Sequence, residues 1–265
     1  MKVHMNKIFL AAAVTISSLA GLTTQSAFAE DQGVFTVTSG IDYSSGKYGT
    51  SDRTEITNVP VIGKYEINRL TLKLTVPYVT ITGPGNVSPG IGKFKKSKTV
   101  PSRTTESGLG DIVAGVTYNL YDGSATAPAV DITGKIKFGT ADENKSLGTG
   151  ENDYSTQVDL YKAFGNFTAL AGLGYRVYGD TNEAPLKNVF YGSVGGTYKL
   201  APSSSVGIVY DYRPSITRNG SAQSEATAFI NYKLNTNWKA QGYLVKGFAD
   251  GSPDYGLGAL VSYVF

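Results

Sequence analysis

Apolar and polar residues alternate with a period of two along most of this chain. In residues 70–76, Leu70, Leu72, Leu74 and Val76 share one face, and Thr71, Lys73 and Thr75 share the other. Residues 130–138 repeat the pattern, with Val130, Ile132, Ile136 and Phe138 set against Asp131, Thr133, Lys135 and Lys137. The alternation recurs in 112–120, 167–177, 206–213 and 226–234. Period two marks strands, because successive side chains of a strand point to opposite faces. No long stretch shows helical periodicity, and after the first residues no apolar run approaches the ~20 residues of a membrane helix. The alternating segments run about ten residues, longer than the ~5–6 usual in soluble strands and close to the ~9–11 that a tilted strand needs to cross a bilayer.

The connections alternate as well. Short ones fall at 68, 122–127, 165–166, 201–204 and 235–237; longer ones fall at 44–52, 82–107, 140–152, 179–187, 214–222 and 247–253. Short turns at one end and long loops at the other are the outer-membrane pattern. The expected fold is therefore all-β, a transmembrane antiparallel up-and-down β-barrel of about twelve strands with both ends in the periplasm. Closure is expected because lipid cannot satisfy a free N–H at an open sheet edge. Strand two, 53–67, is the weakest element, since Pro60 interrupts it. Lys162 and Lys246 fall on the outward phase, each at a strand end from which its ammonium can reach water.

Residues 1–29 read as a secretory signal peptide: Lys2 and Lys7, an apolar run over 8–14, and Ala27-Phe28-Ala29 as the cleavage site. That leaves 30–265 as a barrel domain of a bacterial outer membrane. Export suits a chain with no Cys. Without Lys2 and Lys7, the 24 basic residues nearly match the 21 acidic ones, so no basic face for nucleic acid is expected. The 18 Tyr suit aromatic girdles at the two interfaces. The last strand puts Tyr255, Leu257, Ala259, Val261, Tyr263 and Phe265 on one face. It resembles the signal read by the outer-membrane assembly machinery, so that machinery, membrane lipid and lipopolysaccharide are expected partners.

Two segments resemble one family. Residues 65–78, reading YEINRLTLKLTVPY, look like its turn followed by a strand ending in V-P-Y, and Ser107-Gly-Leu-Gly-Asp111 is similar to its G-l-G-D element. This is the outer-membrane family named for the meta-pathway of phenol degradation. The resemblance implies a channel or transporter for small, often aromatic or hydrophobic compounds, and it brings no catalytic residues.

Chemistry is sparse. The sole His is His4, inside the signal peptide, so no His-based nucleophilic constellation is available to the barrel. No phosphate loop, zinc-protease or EF-hand pattern occurs. Neither an enzyme nor a cofactor is expected. Asp142-Glu143-Asn144 and Glu151-Asn152-Asp153 carry oxygens of the kind that bind divalent cations, though solvated loop charges are the default. The candidates for function face the lumen: Lys73, Lys135, Lys137, Arg176, Lys199, Arg213, Lys233 and Lys239, with Asp111, Asp131, Asp159, Asp211 and Glu225. The loop 82–107 adds Lys93, Lys95, Lys96, Lys98 and Arg103 against the single acid Glu106. Such a loop can stay solvated, touch lipopolysaccharide phosphates or fold inward. The expected function is passive diffusion of a small solute. The alternative is a closed barrel with a structural or surface-binding role.

Overall fold

The computed structural model describes residues 33–93, 103–181, 185–218 and 220–265. The expected signal peptide and Lys95, Lys96 and Lys98 lie outside the described residues. The alternating segments form strands β1 (Val34–Gly46), β2 (Thr54–Ile67) and β3 (Leu70–Gly83), then a small ribbon of β4 (Val87–Ser88) and β5 (Gly92–Lys93). Next come β6 (Thr104–Leu109), β7 (Val113–Tyr121), β8 (Ala129–Lys137), β9 (Asp153–Phe164) and β10 (Phe167–Val177). The last five are β11 (Val189–Ala201), β12 (Ser204–Arg213), β13 (Gln223–Lys233), β14 (Trp238–Gly247) and β15 (Tyr255–Val264). Each wall strand pairs antiparallel with its chain neighbours, and β1 pairs with β15 to close the sheet. β6 and β7 both pair with β3 and are halves of one wall strand, so the barrel has twelve.

The faces are inverted relative to a soluble protein. Leu173, Phe190 and Leu244 are 62%, 63% and 65% exposed, while Asp131 and Glu225 are 2% and 3% exposed. Apolar side chains point outward to lipid and polar ones inward. The seam carries a side-chain bond, Thr38 Oγ1 to Ser262 Oγ at 2.7 Å. At the short-turn rim the amide of Phe265 donates to Phe35 O at 2.9 Å. The ring of Phe265 meets those of Phe35 and Tyr263 at 5.6 and 4.8 Å. Both outward lysines reach polar groups beyond the strands. Lys162 Nζ donates to the turn carbonyl of Ala125 at 2.7 Å, and Lys246 Nζ to Asp254 O at 3.0 Å.

Strand two is regular despite its proline. Pro60 stands directly opposite Pro77. On its other side the β1–β2 ladder lapses between Ser39↔Val61 and Asp42↔Asn58. Beside Pro77 the pairing lapses between Tyr78↔Leu109 and Thr75↔Val113, where β3 advances three residues and its partner four. Proline has no N–H to give the ladder, and the extra residue is a β-bulge. Its Gly110 amide donates to Pro77 O at 2.9 Å.

The long-loop mouth is filled. The expected loop 82–107 is shorter than its sequence suggested, because β3 runs to Gly83 and β6 begins at Thr104. Its ribbon folds inward: Val87 is buried with Tyr48, Ile56, Val79, Ile81, Ala141 and Leu147. Ile91 packs against a second cluster of Tyr178, Val189 and Ile216. A side chain on Gly92 would touch the carbonyls of Tyr48 and Gly251, so the ribbon also reaches the β1–β2 and β14–β15 loops. Tyr48 donates to Ser44 Oγ at 2.8 Å, and burial pushes its phenol well above the usual tyrosine range.

Replacing lipid-facing Leu173 with Arg is expected to destabilise the barrel by about 2–4 kcal/mol, the cost of a midplane cation. Lys162→Arg, at a strand end, should change stability little. Urea unfolding in lipid vesicles measures both.

Candidate functional site

Charges on the inner wall are grouped by register. Inward residues directly opposite on neighbouring strands place their Cβ atoms ~4.5–5.5 Å apart, and like charges there repel. Four such inward pairs carry the same sign: Lys64↔Lys73, Lys233↔Lys239, Asp131↔Asp159 and Asp211↔Glu225.

Three of these pairs begin or end longer rows. One row runs Lys64, Lys73, Gly115, Lys135, Ser155, Arg176, each directly opposite the next. Its charged members are all basic. Lys64 sits near the short-turn end of β2 and Arg176 near the long-loop end of β10, so the row climbs the wall. A second row runs Asp131, Asp159, Gly172, Ser193, Asp211, Glu225. Its charged members are all acidic. Along β8 the rows pass through Lys135 and Asp131, four residues or about 13 Å apart.

Neighbouring amides and rings hold these groups. Asn119 Nδ2 donates to Asp131 Oδ1 and Gln157 Nε2 to Asp159 Oδ1, both at 2.6 Å. The Arg176 guanidinium lies 5.7 and 5.5 Å from the ring centres of Tyr178 and Tyr191, within cation–π range. Arg213 donates to the Tyr178 hydroxyl at 2.5 Å. Lys137 is the most heavily paired. Its Nζ donates to Asp111 Oδ2 at 2.8 Å and lies 3.4 Å from Asp153 Oδ2. Thr149 Oγ1 and Glu151 O also accept from it, at 3.2 and 3.0 Å. Asp111 comes to Lys137 from the segment of the Pro77 bulge.

Thus Lys73, Lys135 and Arg176 fall in the basic row, and Asp131, Asp159, Asp211 and Glu225 in the acidic one. Asp111 and Lys137 form the ion-pair cluster, and Arg213 joins Tyr178. Lys233 and Lys239 sit beside the short turn 234–237, and Lys199 is exposed near the end of β11. Lys93 ends the ribbon. Arg103 is away from the lumen, bound at the exposed rim to Glu55 Oε2 at 2.6 Å and Arg53 O at 2.9 Å. Asp142 and Asn152 serve their own loop, accepting from the amides of Asn144 and Gly139. Among the described residues no three acidic, His or Cys side chains gather as a metal site.

Sequence reasoning missed Lys64, ion-paired to Glu66 at 2.8 Å, and Asp42, which accepts from Asn58 at 2.8 Å. Counting back by twos from the Asn68 turn would have placed Lys64 and Glu66 inward. Asn68 itself has φ 51°, a left-handed turn position that Asn tolerates. The inner face also holds an apolar group that polarity alone did not flag. Leu170, Val209 and Phe229 are buried, with Tyr161 and Tyr243 against them. Rings lie over cross-strand glycines: Phe229 takes the side-chain space of Gly207, Tyr243 that of Gly258 and Tyr191 that of Gly174.

The family described as "Putative MetA-pathway of phenol degradation" matches residues 27–265. The chain belongs to this family. Both segments that resembled it fall inside the match. No curated protein matches the chain. Among solved structures, the translocator domain of the autotransporter NalP from Neisseria meningitidis is similar at 11% identity and a TM-score of 0.51, covering 87% of each chain. The KdgM porin aligns at 11% identity and a TM-score of 0.48, over 87% of this chain and 99% of that one. The CymD monoaromatic hydrocarbon channel aligns at 10% and 0.42, over 89% of this chain and 88% of that one. At such identities the likeness is one of fold, an outer-membrane β-barrel.

Lys137→Met would leave Asp111 and Asp153 facing each other without their cation. It is expected to destabilise by roughly 3 kcal/mol, at the lower end for a broken buried pair because Lys137 is partly exposed. Asp211→Asn relieves a like-charge contact and should hold or raise stability by up to ~1 kcal/mol. Denaturant unfolding of both variants in the same vesicles compares the two signs.

Proposed function

We propose that the protein is a passive channel for small solutes in the outer membrane, exported by its first 29 residues and assembled through its last strand and Phe265. It uses no cofactor and runs no reaction. The observation that carries this reading is the sorting of inner-wall charge into a basic and an acidic row. A barrel filled only for rigidity gains most by placing opposite charges opposite each other. Here like charges meet in four places, which costs stability and yields a field across the lumen. Such a field separates anions from cations on different paths along one wall. The rim residues Arg53 and Arg103 face the side on which lipopolysaccharide phosphates would lie.

A second reading, a closed barrel with a structural or surface-binding role, draws on the inward ribbon and on the apolar group around Phe229. Both narrow the lumen. Planar-bilayer conductance separates the readings. Wild-type protein is expected to give small discrete steps, and removal of residues 86–93 should enlarge them several-fold. Lys73→Glu with Lys135→Glu should move the reversal potential in a salt gradient toward cations. Silence from a folded barrel with and without its ribbon would favour the closed reading.

A further inference from the structure

The mouth of the barrel holds a cavity beneath the ribbon. Its volume is about 70 Å³, and it is bounded by β3, β7, β8, β9 and β10, by the ribbon and by the loop 138–152. Val79, Ile91 and Leu147 give it an apolar side. Its charged side is balanced within the wall. Lys137 is held by Asp111 and Asp153. Lys135 has a partner of its own and lies in the field of Asp159, and Arg176 bonds Tyr178 and faces Asp153. Ser155 bonds the Tyr191 hydroxyl, which donates on to Gln157 Oε1 at 3.1 Å. The roof is fixed by Ser146 Oγ, which donates to Gly85 O at 2.8 Å.

One lining group is left over. Of the two residues of β4, Val87 packs into the cluster with Tyr48 and Leu147, whereas Ser88 lines the cavity. Ser88 is 1% exposed, and its hydroxyl has no hydrogen-bond partner among the described residues. Buried hydroxyls are normally bonded, because an unmet one is destabilising. With the lining charges answered, an ion entering here would lose its hydration without gaining a counter-charge. Water would satisfy Ser88 but gain nothing from the apolar side. A neutral molecule with one hydroxyl and a short hydrocarbon body meets both demands. Its hydroxyl can donate to or accept from Ser88, and its carbons cover Val79, Ile91 and Leu147. One water needs ~10–15 Å³ of such space, so about five non-hydrogen atoms fit, the size of butanol.

We propose that this cavity binds a short-chain neutral alcohol, its hydroxyl on Ser88 and its hydrocarbon between the ribbon and the barrel wall. The proposal rests on the channel reading for its purpose and deepens it. The wall rows guide ions, whereas the mouth detains a neutral solute with a single hydroxyl.

The probes are butanol, its hydroxyl-free analogue chlorobutane and its anionic analogue butyrate. Each is titrated against the full refolded barrel in micelles, with the methyl groups of Ile91 and Leu147 followed by NMR. Wild type is expected to show saturable shifts at both residues with butanol and none with butyrate. Ser88→Ala removes only the hydroxyl; it should weaken butanol roughly fivefold, the worth of one hydrogen bond, and leave chlorobutane unchanged. Leu147→Trp fills the space and should abolish saturation by both at Ile91. Absence of saturable butanol shifts, butyrate binding as tight as that of butanol, or equal effects of Ser88→Ala on butanol and chlorobutane would each overturn the site. Partition into the micelle is recognised by shifts that do not saturate, and it counts against the site. Planar-bilayer conductance of the same preparations keeps the two readings apart. Saturable binding without conductance would leave the site standing and defeat the channel, whereas conductance without saturable binding would do the reverse.

Discussion

Every backbone N–H and C=O inside a bilayer needs a partner within the protein, and the rest of this structure follows from that constraint. It requires the β1–β15 seam, since an unpaired edge would face lipid. It also bears on the irregularity of the wall at its two prolines. Pro60 and Pro77 cannot donate, and they are set opposite each other so that the defect falls in one region. The bulge beside Pro77 returns a hydrogen bond to its carbonyl through Gly110. The same bulge segment brings in Asp111, which with Asp153 anchors Lys137. A backbone repair thereby supplies one partner of the Lys137 ion-pair cluster.

Closure inverts the usual distribution of polarity, and the inversion changes what the interior can hold. The outer face is committed to apolar side chains, so the inner face is where charge can reside. An inner wall of mixed charge ordinarily settles into ion pairs. This one does so at Lys64–Glu66 and around Lys137, yet it keeps four like-charge contacts. Each costs ~0.2–1 kcal/mol, and together they are appreciable beside a folding free energy of roughly 5–15 kcal/mol. Single substitutions such as Asp211→Asn would relieve them, so stability alone does not account for the pattern. The proposed channel function supplies a reason for it, a directed field.

Period two was enough to read the face of nearly every strand residue, including Lys162 and Lys246, which point outward and reach polar groups at strand ends as their positions required. The alternation of short and long connections gave the twelve strands. The alternation failed at strand two, where Pro60 masked a regular partner for β1 and β3, and with it went Lys64 and Glu66. The inward fold of the ribbon was one of three open outcomes for its loop. Nothing local decides it, because Val87 is buried with Tyr48 and Leu147 and Ile91 packs against Tyr178 and Ile216, all distant in sequence. Leu170, Val209 and Phe229 sit on the phase that also carries charges, so a rule of apolar outward and polar inward misses them. Their packing depends on glycines of neighbouring strands, which a single strand does not reveal.

The charge rows were illegible for a different reason. A strand's sequence tells which residues face the lumen but not which residue of the next strand stands beside each one; that is fixed by register and by the shear of the barrel. Lys73, Lys135 and Arg176 are scattered over three hairpins and look unrelated until pairing joins them through Gly115 and Ser155. The row crosses tilted strands at right angles, so it rises as it travels around the wall. An anion following it moves along the barrel axis and around the wall together, with each cation offset sideways from the last. Such a path does not need an open central bore. It can pass beside the apolar group around Phe229, which is contributed by β10, β12 and β13, while the row keeps to β2, β3, β7, β8, β9 and β10. The ribbon bars the mouth at the top of that path, where the charge of the row meets the apolar side chains around Val87 and Ile91. Blocked centre and charged wall are therefore compatible features of one narrow, lateral route.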